Sequence, residues 1–211
     1  NKKLPKILVP VHLTGQPTLQ EEIYNLSVEY GFKILEDASH SVGASRNKES
    51  VGNCKWSHAT VFSFHPVKIV TSGEGGAVLT NDNELDKKCK LLRTNGITRD
   101  KSLFMNENKG PWYYEQQLLG YNYKLSDIHS ALGLSQLKKT SKFVMERNKI
   151  AKIYDKELKN LPINLPYILD GNQSSYHLYV IRLIPNEIKL SHKEIHTKKK
   201  EKGINVNLHY Y

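Results

Sequence analysis

A chain of 211 residues with 38% hydrophobic and 25% charged residues has the composition of a folded globular protein and not of a disordered one. Its 31 lysines and arginines against 21 acidic residues leave a formal net charge of +10, but the lysines are scattered instead of interleaved with aromatics. That distribution disfavours a nucleic-acid-binding module and reads first as an ordinary solvated surface, although a small anionic substrate such as a sugar nucleotide would also benefit from a basic surface.

The elements follow in chain order. Residues 6–12 (KILVPVH) form a short apolar run closed by turn residues at 15–17, which predicts a buried strand. Thr18 and Glu21 have the spacing of a capping box ahead of Leu19, Ile23 and Leu26, and Gly31 is a stop signal for that helix. A second strand is expected from Phe32, ending at Glu36, Asp37 and Ala38. Strand, helix and strand in this order predict a βαβ unit and a largely parallel sheet. Further strands are read at 59–64 (ATVFSF) and 76–80 (GAVLT), with a polar, glycine-rich loop between them. A helix should begin near Asp82 and end about Asn95 and Gly96; residues 97–120 lack periodicity and read as a long loop.

Ser126 is placed to cap an amphipathic helix over 125–137, and another helix covers 141–158. Pro162 and Pro166 mark a boundary, so the expected domains are 1–162 and 163–211. Beyond it, 176–184 (YHLYVIRLI) reads as a strand, and a helix opens with a capping box at Ser191 and Glu194. The lysines at 198–200 fall in the last turn of that helix, where they favour its dipole. A last strand is expected over 204–209.

Two cysteines, Cys54 and Cys89, lie far apart without metal-ligand spacing, which points to a reducing, cytoplasmic setting and to neither disulfide nor zinc. No apolar run nears the roughly 18–20 residues of a membrane span, so no membrane partner is expected. The first residue is Asn1, not Met, which leaves a targeting segment open.

Several residues are placed to carry chemistry. Asp37 ends a predicted strand, where ligands of open α/β sheets gather, although a loop or cap aspartate reads the same way. Lys68 follows a hydrophobic strand in FSFHPVKIVTSGEGG, with Pro66 restraining the backbone and Gly73, Gly75 and Gly76 leaving room for a ligand. A lysine there becomes a nucleophile if partial desolvation lowers its pKa; otherwise it is an ordinary solvated lysine. Ser63 and Asn122 are each able to donate to a phosphate, and each also reads as a plain strand or turn residue.

The order and spacing of EDASH, FSFHPVK, GEGGAVLTN, RTNG, GYNYKLSDIHSALG, YHLYVIRL and INVNLHY together resemble one family along essentially the whole chain. It is that of the DegT/DnrJ/EryC1/StrS sugar aminotransferases, in the type I aminotransferase fold of pyridoxal-phosphate (PLP) enzymes. The resemblance implies an α/β large domain with a mostly parallel sheet and a small α+β C-terminal domain. It implies PLP as cofactor, with Asp37 at the pyridine nitrogen, His40 near the ring hydroxyl, Ser63 at the phosphate and Lys68 as the Schiff-base lysine. Freed from the cofactor, that lysine acts as general base. Asn122 is implied to reach the phosphate of a neighbouring subunit's cofactor, hence a homodimer with shared sites. Ser63 and Asn122, with Asn207, Leu208, His209 and Tyr210, are implied to face substrate; for His209 a role as an ordinary strand histidine is the alternative.

Within the family, VPVHLTGQP, FSFHPVK and GYNYKLSDIHSALGLSQLKK are most similar to the pseudaminic-acid branch. That branch aminates a UDP-linked 4-keto-6-deoxy-N-acetylhexosamine with glutamate as donor, in pathways such as flagellin glycosylation. PLP-dependent dehydratases of the same fold carry histidine in place of the Schiff-base lysine, so Lys68 argues against them. A non-catalytic regulatory or sensory member is the main alternative; the joint presence of Asp37, Ser63, Lys68 and Asn122 argues against it. Members of the family are far longer, so the sequence is expected to be a fragment truncated at both ends.

Overall fold

The computed structural model describes residues 4–209. Strand β1 (Ile7–Leu8), helix α1 (Gln20–Tyr30) and strand β2 (Lys33–Asp37) make the expected βαβ unit, with β1 and β2 parallel and Leu8 opposite Ile34. The strand expected over 6–12 is shorter and not buried. Pro10 has no N–H to extend a ladder, and β1 lies at the sheet edge, which leaves Ile7 57% exposed. Contact with β2 resumes as an isolated bridge between Val11 and Asp37.

The capping box expected at Thr18 and Glu21 does not form. Helix α1 starts with Leu19 as N-cap and no side-chain cap, because Thr18 gives its N–H to Nδ1 of His12 (3.0 Å) and its hydroxyl is buried without a partner. Gly31 does end the helix, in the left-handed conformation at φ 72°.

A small hairpin, β3 (Ser45–Arg46) and β4 (Glu49–Ser50), precedes β5 (Ala59–Ser63) and β6 (Gly76–Leu79). The main sheet has the order β1-β2-β5-β6, with β2 and β5 parallel and β6 antiparallel to β5. The connection 64–75 carries no helix, and it is a helical crossover that brings a following strand back parallel.

Helix α2 (Asn83–Arg93) is capped by the Asp82 carboxylate, which accepts from the N–H groups of Glu84 and Leu85. The stretch expected as a long loop is closed at its base by β7 (Ile97–Thr98) and β8 (Glu115–Gln116), an antiparallel pair. Buried Glu115 organises it by accepting from the N–H groups of Met105 and Asn106 and from the Tyr113 hydroxyl. Helix α3 (Asp127–Leu137) is capped by Ser126 as expected, and α4 (Thr140–Leu158) follows.

Of the last strands, β9 (Ile163–Asn164) pairs with β11 (Arg182–Leu183), and β10 (Asn172–Gln173) joins β3 antiparallel. The strand expected over 176–184 survives only as β11. Residues 174–178 instead form a strap: Ser175 N–H donates to the Gly15 carbonyl (2.9 Å), Leu178 N–H to the Thr14 carbonyl (3.2 Å), and Tyr176 breaks the extended run at φ 45°. Helix α5 (His192–Glu201) has its Ser191–Glu194 capping box and ends on Lys198, Lys199 and Lys200. The strand expected over 204–209 is not formed, since among the described residues no strand pairs with it. No helix among the described residues is long and apolar enough to cross a membrane.

The core gathers Ala38, Val42, Ala44, Val51, Phe62, Ile69 and Val70, with Phe64 and Phe143 packed against it. A buried polar network backs β2. Glu36, 1% exposed, accepts from Gln20 Nε2 (2.5 Å), Ser57 Oγ (2.9 Å) and Thr60 Oγ1 (2.6 Å), and His12 Nε2 stands 3.4 Å away. Burial pushes the Glu36 pKa up, but the contacts with His12, Thr60 and Gln20 outweigh it and hold the carboxyl at about 2.

Candidate active site

Alternation along β2 sends Glu36 into that network and Asp37 to the opposite face. Asp37 is the last residue of β2, and Ser63 is the last residue of the adjacent parallel strand β5. Carboxyl ends of parallel strands are where α/β sheets bind ligands. Lys68 follows in a turn closed by its N–H donating to the His65 carbonyl (2.9 Å). Ile69 and Val70, directly after it, are 6% and 0% exposed in the core, so the lysine backbone is anchored while the side chain remains half-buried.

Burial penalises the Asp37 charge, yet Ser39, through its side chain and through its N–H on Oδ1 (3.0 Å), outweighs it and lowers the pKa, with smaller electrostatic help from the His40 and Lys68 side chains. Burial lowers the Lys68 pKa, and the charge of Asp37 restores only part of the shift. A lowered lysine pKa raises the fraction of unprotonated, nucleophilic amine at neutral pH. Carboxylate and amine sense each other without joining: among the described residues no ion pair within 4.0 Å links them.

His40 accepts from the Thr14 N–H at Nδ1 (3.3 Å) and its ring packs on that of His177, with centroids 4.4 Å apart. Burial is the main cause that lowers the His40 pKa, helped by Lys68 and His209 and opposed by Asp37. His177 is pushed down to about 4, first by burial and then by His40, Lys68, Arg147 and His209, and its buried Nδ1 has no hydrogen-bond partner. Arg147, on α4, holds this segment by donating to the carbonyls of Tyr176 (2.9 Å) and His177 (3.4 Å). Sequence reasoning missed His177 and Arg147. The one available signal was a histidine inside the apolar run YHLYVIRL, which was read as strand.

The structure thus brings together Asp37, His40, Lys68 and, through its charge, His209. Ser63 lies at the same strand end and accepts from the His65 N–H (3.5 Å). Asn122 is exposed and its backbone forms an isolated antiparallel bridge with Thr94. Asn207 and Leu208 are exposed and line a groove of about 370 Å³ between α5 and residues 178–183. Tyr210 lies outside the described residues. Of the glycines after Lys68, Gly75 and Gly76 make room for the chain itself: a Cβ on Gly76 would stand 2.6 Å from the Phe62 carbonyl oxygen, and one on Gly75 2.6 Å from Ser72 Oγ, whereas one on Gly73 would meet only the His129 ring, at 3.4 Å.

A family description matches residues 2–211, that of the DegT/DnrJ/EryC1/StrS aminotransferase family. The chain belongs to this family. It is 40% identical over 201 residues to the UDP-4-amino-4,6-dideoxy-N-acetyl-beta-L-altrosamine transaminase of Campylobacter jejuni, covering 95% of this chain and 50% of that protein. The structure of a Helicobacter pylori aminotransferase involved in the biosynthesis of pseudoaminic acid superposes with TM-score 0.74 at 36% identity, over 91% of this chain and 47% of that one. A Streptococcus pneumoniae protein solved in its PMP form superposes with TM-score 0.83 at 25% identity, over 98% of this chain and 56% of that one. The fold is therefore the α/β fold of these aminotransferases. The chain spans about half the length of the curated relatives it matches.

Proposed function

We propose that this chain builds a PLP-dependent nucleotide-sugar aminotransferase. Its substrate is a UDP-linked 4-keto-6-deoxy-N-acetylhexosamine, its product the 4-amino sugar, and its amino donor glutamate, in the pseudaminic-acid branch of surface-glycan synthesis. One observation carries the reading: an ionised carboxylate at the end of β2 and, in the turn that follows the adjacent strand β5, an amine of lowered proton affinity that forms no ion pair with it. The functions of the Campylobacter and Helicobacter relatives support the branch.

The donor set fits PLP. Asp37, kept charged by Ser39, would face the ring nitrogen and hold a proton there. Lys68 would hold the cofactor through Nζ, His40 would lie by the ring hydroxyl, and Ser63 would donate to the phosphate. When bound, PLP supplies a sink for the electron pair left when a C–H bond beside the amine nitrogen is broken. Lys68, once its amine is free, would take that proton at Nζ and return it to the carbon on the other side of the same nitrogen; its lowered pKa suits both directions. His209, Asn207 and Leu208, with Tyr210, would meet the sugar nucleotide or the amino donor. Asn122, exposed on this chain, is suited to a neighbouring subunit's phosphate, which makes the working form a homodimer with shared sites. The chain divides at Pro162 into a large PLP-binding domain (1–162) and the start of a smaller one (163–211), and the enzyme works in the cytoplasm.

The test is an absorbance spectrum with PLP before and after borohydride, followed by peptide mapping and a glutamate-dependent assay on the UDP-keto sugar. A near-visible band reduced onto Lys68, with amine appearing on the sugar, supports the reading. No band, or label spread over surface lysines, overturns it in favour of a non-catalytic member of the family.

A further inference from the structure

We infer that His177 is a positioning residue, which holds His40 in a single orientation as a neutral N–H donor facing the site between Asp37 and Lys68. The inference rests on the cofactor-binding reading above but concerns this chain's own residues.

His40 is fixed on three sides. The Thr14 N–H donates to its Nδ1 (3.3 Å), Ser175 Oγ donates to its carbonyl (3.1 Å), and the His177 ring covers its face at 4.4 Å with a 48° tilt. With Nδ1 accepting, the proton of the neutral ring sits on Nε2, which is then a donor. The strap carrying His177 is itself tied down. Ser175 and Leu178 bond to the carbonyls of Gly15 and Thr14, and Arg147 clamps the carbonyls of Tyr176 and His177.

Two features show that the His12–Gly15 turn and the strap are set against each other. Thr14 (φ 63°) and Tyr176 (φ 45°) are non-glycine residues in the left-handed region, a conformation that persists only where surroundings impose it. Gly15, at φ 108°, has no space for a side chain: a Cβ would stand 2.7 Å from Ser175 Oγ and 2.8 Å from the Tyr176 nitrogen. Moving the strap therefore moves the turn that binds His40 Nδ1.

The charged and titratable groups facing the pair are Lys68 from the β5–β6 loop, Asp37 from β2, Arg147 from α4 and His209 from the C-terminal segment. Asp37 alone favours a protonated His40; burial, Lys68 and His209 oppose it. Burial, to which the His177 ring lying on His40 contributes, thus favours a neutral His40, and a neutral His40 spares Lys68 an additional neighbouring cation.

The deciding experiment is an NMR pH titration of 15N-histidine-labelled protein without cofactor. In the parent, His40 should show the Nε2–H tautomer and a midpoint below 6.5. In His177→Ala the uncovered ring should move its midpoint up by roughly half a unit or more and lose the single tautomer. In His177→Phe, which keeps the cover without the imidazole, the midpoint should stay within about 0.2 units of the parent. An unchanged midpoint and tautomer in His177→Ala overturns the inference, as does an equal rise in His177→Phe. If His177→Ala does not fold, His177→Asn uncovers the same face and is judged by the same criteria. The titration needs no bound cofactor, so its failure is distinct from failure to trap PLP on Lys68.

Discussion

Asp37, Ser63 and Lys68 each sit beside a core side chain in sequence: Ala38 at 0%, Phe62 at 9% and Ile69 at 6% exposure. Residues 204–209 offer the contrast, because none of them is buried and their backbone joins no strand. The first group inherits its placement from packing, which fixes geometry to a fraction of an ångström. The second lies at the surface, along a groove beside α5. Under the proposed function, the groups that hold the cofactor lie in the first region and those that meet the variable part of the substrate lie in the second.

The sharpest way to break this comparison is Lys68→Ala. Turnover should fall by roughly 10⁴-fold or more, while the circular-dichroism melt stays close to that of the parent, since the amine is not part of the core. Persistent turnover would remove Lys68 from the chemistry.

The next largest effect lies behind the site. Glu36 has a folded pKa of about 2 against an ordinary value of 4.5, so its contribution is complete above pH 4.5 and is lost as pH falls through about 2. That contribution is about 3 kcal/mol, and Glu36→Gln should flatten the acid side of a urea-midpoint-versus-pH curve. An acid slope equal to that of the parent would show that the network behind β2 is not its source.

Asp37→Asn should weaken PLP retention by about 10–100-fold, the scale of a lost charge-assisted contact, with little change in melting temperature. Dialysis against buffer followed by absorbance measures it. Least of all, Asn207→Ala should leave PLP retention within about 2-fold, because an exposed surface substitution disturbs little. A loss as large as that for Asp37→Asn would erase the distinction between the two regions.

Much of the sheet half was legible because its signals are local. The run from Lys33 to Asp37, the Gly31 stop and the caps at Asp82, Ser126 and Ser191 depend on neighbours a few residues away. The cap expected at Thr18 failed because His12 competes for the same N–H, a contest visible only once the chain is folded. The apolar run made 176–184 look like one strand, yet Thr14 and Gly15 capture its first residues by long-range backbone bonds. His177 was hidden for the same reason: its meaning depends on His40, a residue from the opposite end of the sequence. Gly75 and Gly76 misled in another way, since small residues open space equally for a ligand and for the protein's own neighbouring atoms.

The anchoring of Ile69 and Val70 immediately behind Lys68 has a mechanical consequence. The amine can move about a fixed pivot, through the torsions of its own side chain. Under the proposed function, carrying a proton across one C–N–C unit would then require only a short arc of a tethered group, without opening or closing the loop that bears it.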